Sequence, residues 1–241
     1  MTIGIIIPCY NEEENIFKLI KQLKNKIKKN YKIVVIDDSK NNLKIKIKNV
    51  VYIHRKKKLG RGSAVLLGFK NLINKKKIKC FIEMDADFSH SPNEINNNLK
   101  FFNKKKIDLL ISSRYLNQSQ ILNWSITRRI LSKLSNILIK FLLKIPVNDF
   151  SNGFRIYSRK AVDKIIRKCG KTDSDFIILS EIIMILYYCN FKISEIKTTF
   201  RNRVRGESSV NLFLILKSLF NLFQIFYLNK KLIKKSTNYA M

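Results

Sequence analysis

The first half of the chain alternates short apolar runs with stretches of helical periodicity. Apolar runs of strand length occupy residues 3–7, 33–36, 50–53, 80–84 and 107–111. Apolar residues recur at helical spacing over 12–29 and 63–73, and a further helix is predicted to begin near residue 92. Such alternation is typical of a parallel sheet whose strands are joined by right-handed helical crossovers. The pattern therefore predicts an α/β fold, a mostly parallel sheet flanked by helices, with Asn11 as the N-cap of the first helix.

The second half is richer in helices and ends in a long apolar stretch. Helices are predicted over 125–145, 159–168 and 176–189, and a strand near 191–198. Residues 210–228 are mostly apolar, and Lys217, Asn221 and Gln224 recur at helical spacing to form one narrow polar stripe. This predicts an amphipathic helix lying in a membrane interface, and the alternatives are a membrane-spanning helix or a helix packed on the sheet. We therefore expect one domain over 1–209 and a C-terminal membrane-associating helix with a basic tail over 210–241.

The chain is strongly basic. Its 241 residues include 48 Lys and Arg against 17 Asp and Glu, which gives a formal net charge of +31. Such a charge favours an anionic partner, whether a nucleic acid, a phosphate-bearing ligand or an acidic membrane surface. Lysine and asparagine crowd every predicted loop, however, so coding bias accounts for most of the excess and function for a smaller share.

Cysteine and histidine offer little chemistry in this sequence. The four cysteines are scattered without a C-x-x-C pair, which favours small buried thiols over disulfides or a zinc site. His54 and His90 are the only histidines, so a histidine-based triad or a histidine-rich metal site is not expected. Because a strand is predicted from residue 3, we expect no signal peptide.

Two aspartates follow the apolar strand at 80–84. Asp85 and Asp87 are one residue apart, so in an extended chain they point the same way. Two carboxylates that close repel each other unless a cation lies between them, and a hard divalent ion serves best. The alternative is an ordinary solvated turn. The position after a buried strand favours an Mg²⁺ or Mn²⁺ site that also takes oxygens from a substrate diphosphate.

Several motifs together resemble a known family. The segments I-I-I-P-C-Y-N-E-E-E-N, V-V-I-D-D-S and M-D-A-D-F-S-H-S-P resemble the inverting nucleotide-sugar glycosyltransferases of the GT-A fold. The later segments I-S-S-R-Y-L, W-S-I-T-R-R-I-L-S-K-L-S-N, D-F-S-N-G-F-R-I-Y and F-R-N-R-V-R-G-E-S-S narrow the likeness to dolichyl-phosphate (polyprenol-phosphate) mannose synthases. The resemblance runs from Ile3 to about Ser209, with the motifs in the family's order, and is far more specific than any one motif.

The resemblance implies transfer of mannose from GDP-mannose to dolichyl or polyprenyl phosphate, with anomeric inversion, at the cytoplasmic face of a membrane. It implies Mg²⁺ or Mn²⁺ as cofactor, a membrane-associated location and no nucleic-acid partner. It leaves open whether a small membrane partner subunit is needed. The chemistry suits a chain with few histidines, since a lipid phosphate is already ionised and can attack without a strong general base. The remaining work is positioning and charge neutralisation.

The resemblance also implies roles for individual residues. Asp85, Asp87 and Arg114 are the expected catalytic residues, and Asp85, Asp87 and Ser89 the expected metal ligands. Arg128 and Arg129 are expected to face the acceptor phosphate. The expected donor-binding residues are Pro8, Tyr10, Glu12, Ile36, Asp38, Asp85, Ala86, Asp87, Arg114 and Arg203.

Two departures from the family pattern affect these expectations. Ser89 stands where some relatives have an amide in the metal shell, and Ser209 replaces a lysine that commonly follows G-E-S. A third point concerns Asp149 and Arg155, which flank the S-N-G-F turn and are candidates for a mutual ion pair that holds the turn.

Three other functions remain as alternatives. The same chemistry with UDP-glucose or a UDP-N-acetylhexosamine is the nearest one, because sugar choice depends on pocket details. A basic nucleic-acid-binding protein would explain the charge but leaves the strand-end aspartates without a role. An inactive scaffold subunit is disfavoured by the intact Asp85 and Asp87.

Overall fold

The computed structural model describes residues 2–170 and 177–202, together with Tyr227. Arg203 and Ser209 lie outside the described residues, as does the predicted 210–228 helix apart from Tyr227. The expected domain boundary after residue 209 therefore stays a prediction.

A seven-stranded sheet forms the centre of the described structure, in the order β3-β2-β1-β4-β7-β5-β8. All neighbouring strands are parallel except β7, which is antiparallel to both β4 and β5. Two short strands, β6 and β9, form a separate parallel pair. The strands are β1 (Thr2–Cys9), β2 (Tyr31–Asp37), β3 (Val50–His54), β4 (Ile78–Glu83), β5 (Leu109–Ser113), β6 (Gln120–Leu122), β7 (Arg155–Ser158), β8 (Ile193–Lys197) and β9 (Thr199–Arg201).

Helices cover both faces of the sheet. They are α1 (Glu13–Lys26), α2 (Arg61–Ile73), α3 (Ile95–Lys104), α4 (Ile126–Leu143), α5 (Arg159–Lys168) and α6 (Ile177–Tyr188). The apolar residues of α1 and α3 pack in one core cluster, and those of α2, α5 and α6 in the other. Successive strand residues alternate between the two cores: Val34 and Ile36 face one, Ile33 and Val35 the other. Burial on both faces explains why the strands read as continuous apolar runs.

The predicted α/β architecture is confirmed, but the start of the first helix differs from the prediction. Asn11 is not the N-cap of α1, because Glu12 occupies that position. Asn11 instead adopts a left-handed backbone conformation with φ 55°, and its N–H donates to Ser39 Oγ at 2.7 Å. Asparagine tolerates this conformation better than most residues, and here it ties the loop after β1 to the end of β2.

Within the described residues, no helix is both long and apolar enough to cross a membrane. The four cysteines are free thiols, and Cys9, Cys80 and Cys169 are buried, in agreement with the sequence-based interpretation.

Candidate active site at the carboxyl ends of the strands

The expected donor-binding residues of the first half gather at one edge of the sheet. Because β1, β2, β4 and β5 run in one direction, the segments that follow them meet at their carboxyl ends, where open α/β sheets bind ligands. The expected residues within the ends of these strands or directly after them are Pro8, Tyr10, Glu12, Ile36, Asp38, Asp85, Ala86, Asp87 and Arg114. Two of them turn inward: Ile36 and Ala86 are buried, and their side chains pack in the cores.

The two aspartates at the end of β2 have different surroundings. Asp37 is fully buried and accepts hydrogen bonds from Ser39 and from the Tyr52 hydroxyl. Asp38 pairs with Arg55, whose Nε and Nη2 donate at 2.5 and 2.7 Å, and it also accepts the backbone N–H of Leu59 at 2.9 Å. Asp38 thereby holds the loop that leads into α2.

Asp85, which follows β4, is bonded to an arginine that sequence reasoning did not single out. Arg61, the first residue of α2, donates to Asp85 Oδ1 from Nη2 at 2.8 Å and from Nε at 3.1 Å. The same guanidinium places Nη1 at 2.6 Å from Oε1 of the fully buried Glu83. The Tyr157 hydroxyl donates to the other Glu83 oxygen at 2.6 Å. A connected row of polar groups thus runs from β7 through the end of β4 to α2.

His90 connects Asp85 to the turn before β7. Its Nδ1 accepts the Asp85 backbone N–H at 3.0 Å, and its Nε2 lies 2.8 Å from Oδ1 of Asn152. Because Nδ1 accepts, Nε2 carries the proton and donates to Asn152, so the imidazole is neutral in this arrangement. The Asn152 amide nitrogen in turn donates to the Ser112 carbonyl, which fixes the orientation of the amide. The buried imidazole also stacks on Phe154 with ring centroids 5.3 Å apart.

Asp87 and Ser89 contact each other directly. Both the backbone N–H and the hydroxyl of Ser89 donate to Asp87 Oδ1. The two hydrogen bonds fix the Asp87 carboxylate at the start of the following loop. The expected role of Ser89 as a metal ligand stays a prediction.

Arg114, expected to be catalytic, is held in a buried ion pair with Asp149. Its Nε and Nη2 each lie 2.8 Å from a different Asp149 oxygen, and its backbone N–H donates to the same carboxylate. Burial alone would raise the pKa of Asp149, but the Arg114 charge and the hydrogen bonds outweigh it, so the pKa lies below its ordinary value. The candidate pair of Asp149 with Arg155 is therefore wrong. Arg155 is fully buried and donates to the backbone carbonyls of Phe150, Asn152 and Leu179.

The expected acceptor-binding arginines have different environments. Arg128, in the first turn of α4, is half-buried, donates to Asn202 Oδ1 at 3.0 Å and lies 4.0 Å above the Trp124 ring. Arg129 is exposed. Arg114 lies 5.4 Å from the same indole ring, so the Trp124 side chain connects the head of α4 to the end of β5.

Among the described residues, no group of three or more His, Cys, Asp or Glu side chains is arranged to hold a metal ion. Mg²⁺ is usually bound through one or two carboxylates together with substrate phosphates, not by an all-protein cage. Asp85 and Asp87 fit that kind of donor set, in which a diphosphate completes the coordination.

A family model described as Glycosyl transferase family 2 matches residues 4–166, from β1 through most of α5. The chain belongs to this family of glycosyltransferases.

Two curated relatives are similar to this glycosyltransferase over most of its length. The polyprenol monophosphomannose synthase of Mycolicibacterium smegmatis is 30% identical over 216 residues, covering 86% of this chain and 80% of the relative. The dolichol-phosphate mannosyltransferase of Pyrococcus furiosus is 33% identical over 222 residues, covering 87% of this chain. The match spans only 59% of the length of the Pyrococcus protein.

Solved structures of glucosyl-3-phosphoglycerate synthase from Mycobacterium tuberculosis share the fold. The complex of that enzyme with Mn²⁺, UDP and glucosyl-3-phosphoglycerate has a TM-score of 0.65 at 13% identity, covering 92% of this chain and 79% of that one. Its complex with phosphoglyceric acid has a TM-score of 0.67 at 13% identity, covering 93% of this chain and 79% of that one. The likeness confirms the predicted GT-A fold.

Sequence reasoning missed the partners of the acidic residues in this glycosyltransferase. Four residues that were not expected take part in the site. Arg55, Arg61 and His90 each contact an expected site residue, and Asn152 contacts His90. One signal was available: a buried strand ending in Glu and two Asp needs a cation nearby, and Arg61 lies between Gly60 and Gly62 at the start of α2.

The buried pair of Arg114 with Asp149 predicts a specific pattern of stabilities. Arg114→Met leaves a buried carboxylate uncompensated and should lower the free energy of unfolding by about 3–5 kcal/mol. Adding Asp149→Asn removes that charge and should restore much of the loss. Denaturant unfolding measures both variants, and Arg167→Met, which breaks an exposed pair with Asp163, is the matched control with a change within about 0.5 kcal/mol. A double variant no more stable than Arg114→Met would contradict this account of the pair.

Proposed function

We propose that this glycosyltransferase transfers mannose from GDP-mannose to a dolichyl or polyprenyl phosphate, with inversion, at the cytoplasmic face of a membrane. The observation that carries the proposal is the pair Asp85 and Asp87 at the end of β4, in a chain whose curated relatives are named for polyprenol- and dolichol-phosphate mannosyl transfer.

The donor would bind along the carboxyl ends of β1, β2 and β4. Tyr10 and Glu12 follow β1, and Tyr10 is half exposed with Lys58 Nζ 4.1 Å above its ring. Asp38, fixed by Arg55, would hold the base. Arg203 would contact the donor phosphates from beyond the described residues.

Asp85 and Asp87 would hold Mg²⁺ or Mn²⁺ together with the donor diphosphate, with Ser89 as a further ligand. The cation would neutralise the negative charge that develops on the departing diphosphate. Support comes from the donor set, since carboxylates suit both ions, and from a structural neighbour solved with Mn²⁺ and UDP.

The reaction would be a single displacement. An oxygen of the ionised lipid phosphate attacks the anomeric carbon of mannose, the bond from that carbon to the diphosphate breaks, and GDP leaves with the electron pair. The described site is consistent with chemistry that needs no strong general base, because both nitrogens of the buried His90 are engaged, one with Asp85 and one with Asn152.

The acceptor phosphate would bind at the head of α4. Arg128 lies there, and both it and Arg114 lie close to the Trp124 ring. The Trp124 indole N–H is buried and makes no hydrogen bond within the described structure, which leaves a donor near the proposed phosphate position.

An apolar stripe on α4 supports the membrane location. Seven large apolar side chains of this helix are exposed, and they fall mainly on one face: Ile126, Ile130, Leu131, Leu134, Ile137, Leu138 and Phe141. The exposed lysines Lys133 and Lys140 accompany them. An apolar face beside basic residues suits a bilayer surface that carries anionic lipids. Because Arg128 is at the head of this helix, a docked α4 would bring lipid phosphates to the site while their tails stay in the bilayer.

The proposed reaction is tested by turnover with radiolabelled GDP-mannose, UDP-glucose and UDP-N-acetylglucosamine, each with polyprenyl phosphate and Mg²⁺ or Mn²⁺. We expect labelled lipid from GDP-mannose only, and loss of product with EDTA. Asp87→Asn should lower the rate by at least about 10²–10³, because the leaving diphosphate loses its counter-charge. Product from a UDP-sugar alone would reassign the donor, and EDTA-insensitive activity of Asp87→Asn would remove the metal role.

The acceptor role predicts a difference between neighbouring arginines. Arg128→Ala should raise the apparent KM for polyprenyl phosphate by about 10- to 100-fold, the worth of a charged hydrogen bond, and change the KM for the sugar nucleotide much less. Arg129→Ala is the matched control with a smaller effect, because this side chain is exposed. If Arg128→Ala weakens donor binding instead, the arginine belongs to the donor site.

The membrane role of α4 predicts weaker vesicle binding when its stripe becomes polar. The triple variant Leu134→Gln, Ile137→Gln, Phe141→Gln should bind phosphatidylglycerol-containing vesicles at least about tenfold more weakly in sedimentation, since each buried apolar side chain contributes about 1.5–3 kcal/mol. Phe17→Gln, an exposed apolar residue on α1, should bind like wild type. Equal binding of the triple variant and wild type would show that α4 does not dock.

A further inference from the structure

Arg61 contacts two of the acidic groups at the end of β4. Its guanidinium donates twice to Asp85 Oδ1 and lies 2.6 Å from Glu83. The contact with Glu83 is a short ion pair between two buried groups. The contact with Asp85 is aligned and directional, and therefore fixes the orientation of that carboxylate.

The surroundings of Arg61 are built to hold the guanidinium in this place. Burial by itself lowers the pKa of Arg61, but the Asp85 and Glu83 carboxylates outweigh it and raise the pKa above its ordinary value. Gly153 passes directly over the side chain: a Cβ at this position would lie 2.0 Å from Arg61 Nη2. The absence of a side chain at Gly153 is what allows the turn before β7 to close over the arginine.

The formal charges of this cluster match one divalent cation, which would neutralise them. Counted as formal charges, Glu83, Asp85 and Asp87 contribute minus three and Arg61 plus one, which gives the cluster a formal net charge of minus two. The Glu83 charge is already compensated at its buried position by Arg61 and by the Tyr157 hydroxyl.

We propose that Arg61 is a positioning residue of the donor site, which orients the Asp85 carboxylate for the divalent cation and the donor diphosphate. This inference rests on the proposed function, in which Asp85 is a metal ligand. Outer residues that orient metal ligands usually contribute about 10- to 100-fold to metal affinity. The competing interpretation is that Arg61 only compensates the buried charge of Glu83 and has no effect on Asp85.

Two variants separate these interpretations because they change charge and orientation in opposite ways. Glu83→Gln keeps the contact of Arg61 with Asp85 but reduces the net charge of the cluster to minus one. The double variant Glu83→Gln, Arg61→Met loses the contact but returns the net charge to minus two, and it leaves no buried charge unpaired. If charge alone matters, the double variant binds the cation better than Glu83→Gln. If Arg61 orients Asp85, the order is reversed.

The experiment measures Mn²⁺ binding to the full chain by the electron paramagnetic resonance signal of free Mn²⁺, with GDP and in parallel with UDP. We expect the double variant to bind Mn²⁺ about 10- to 100-fold more weakly than Glu83→Gln. Arg61→Lys is a second variant. It keeps the positive charge that compensates Glu83 but cannot donate two hydrogen bonds in a fixed geometry as a guanidinium does, so it should also bind Mn²⁺ more weakly than wild type.

The proposal is overturned if the double variant binds Mn²⁺ as tightly as Glu83→Gln or more tightly, or if Arg61→Lys binds like wild type. It is also overturned if wild type binds no Mn²⁺ with either nucleotide. Failure of the proposed function is distinguishable: Arg61-dependent Mn²⁺ binding without mannosyl transfer would reject the mannosyl transfer and leave the role of Arg61 standing.

Discussion

The concentration of negative charge at the end of β4 is the constraint on which the rest of the site depends. Glu83, Asp85 and Asp87 lie within five residues, and Glu83 is completely buried. Burying carboxylates without partners is costly, so the fold must supply cations and N–H groups around them. The described structure does this with Arg61 for the first two and with Ser89 for the third. These partners fix the carboxylates in place before any ligand binds, and such preorganisation is what electrostatic catalysis requires.

The turn before β7 connects the separate parts of this arrangement. Asp149 binds Arg114 at the end of β5, Asn152 binds His90 after β4, and Gly153 lies over Arg61 of α2. The turn reaches all three because β7 is inserted antiparallel between β4 and β5, which brings the chain back to the carboxyl edge of the sheet. These contacts explain the composition of the segment D-F-S-N-G-F-R. Its Asp149 and Asn152 each bind a residue of the site, and its Gly153 leaves space for the Arg61 side chain.

Much of the fold could be predicted from the sequence, and the rest was hidden for identifiable reasons. Strands such as β1 and β2 are buried on both faces and read as apolar runs between turn residues. By contrast, β7 has four residues and begins with the buried Arg155, so neither an apolar run nor an alternating pattern marks it. Because asparagine is a common N-cap, the sequence predicts Asn11 as the cap of α1; in the structure Asn11 has a left-handed backbone and donates to Ser39, and Glu12 is the N-cap.

The candidate site, like the fold, could be predicted from the sequence only in part. Asp85 and Asp87 were visible because they follow a strong strand signal. Arg61 and Asp149 were not assigned to their partners, because Arg61 is 24 residues from Asp85 and Asp149 is 35 from Arg114, and no local pattern relates such positions. Only the topology of the sheet brings them together. Sequence reasoning therefore found Asp85 and Arg114 but not the partners, Arg61 and Asp149, that hold them.

The most direct test of the account is a crystal structure of the full chain with Mn²⁺ and GDP, in which anomalous scattering locates the metal. The account predicts a manganese peak within coordination distance of both Asp85 and Asp87 and of the GDP diphosphate oxygens, with Arg61 still bonded to Asp85. A GDP diphosphate bound without manganese, or a manganese ion that neither aspartate coordinates, would contradict it.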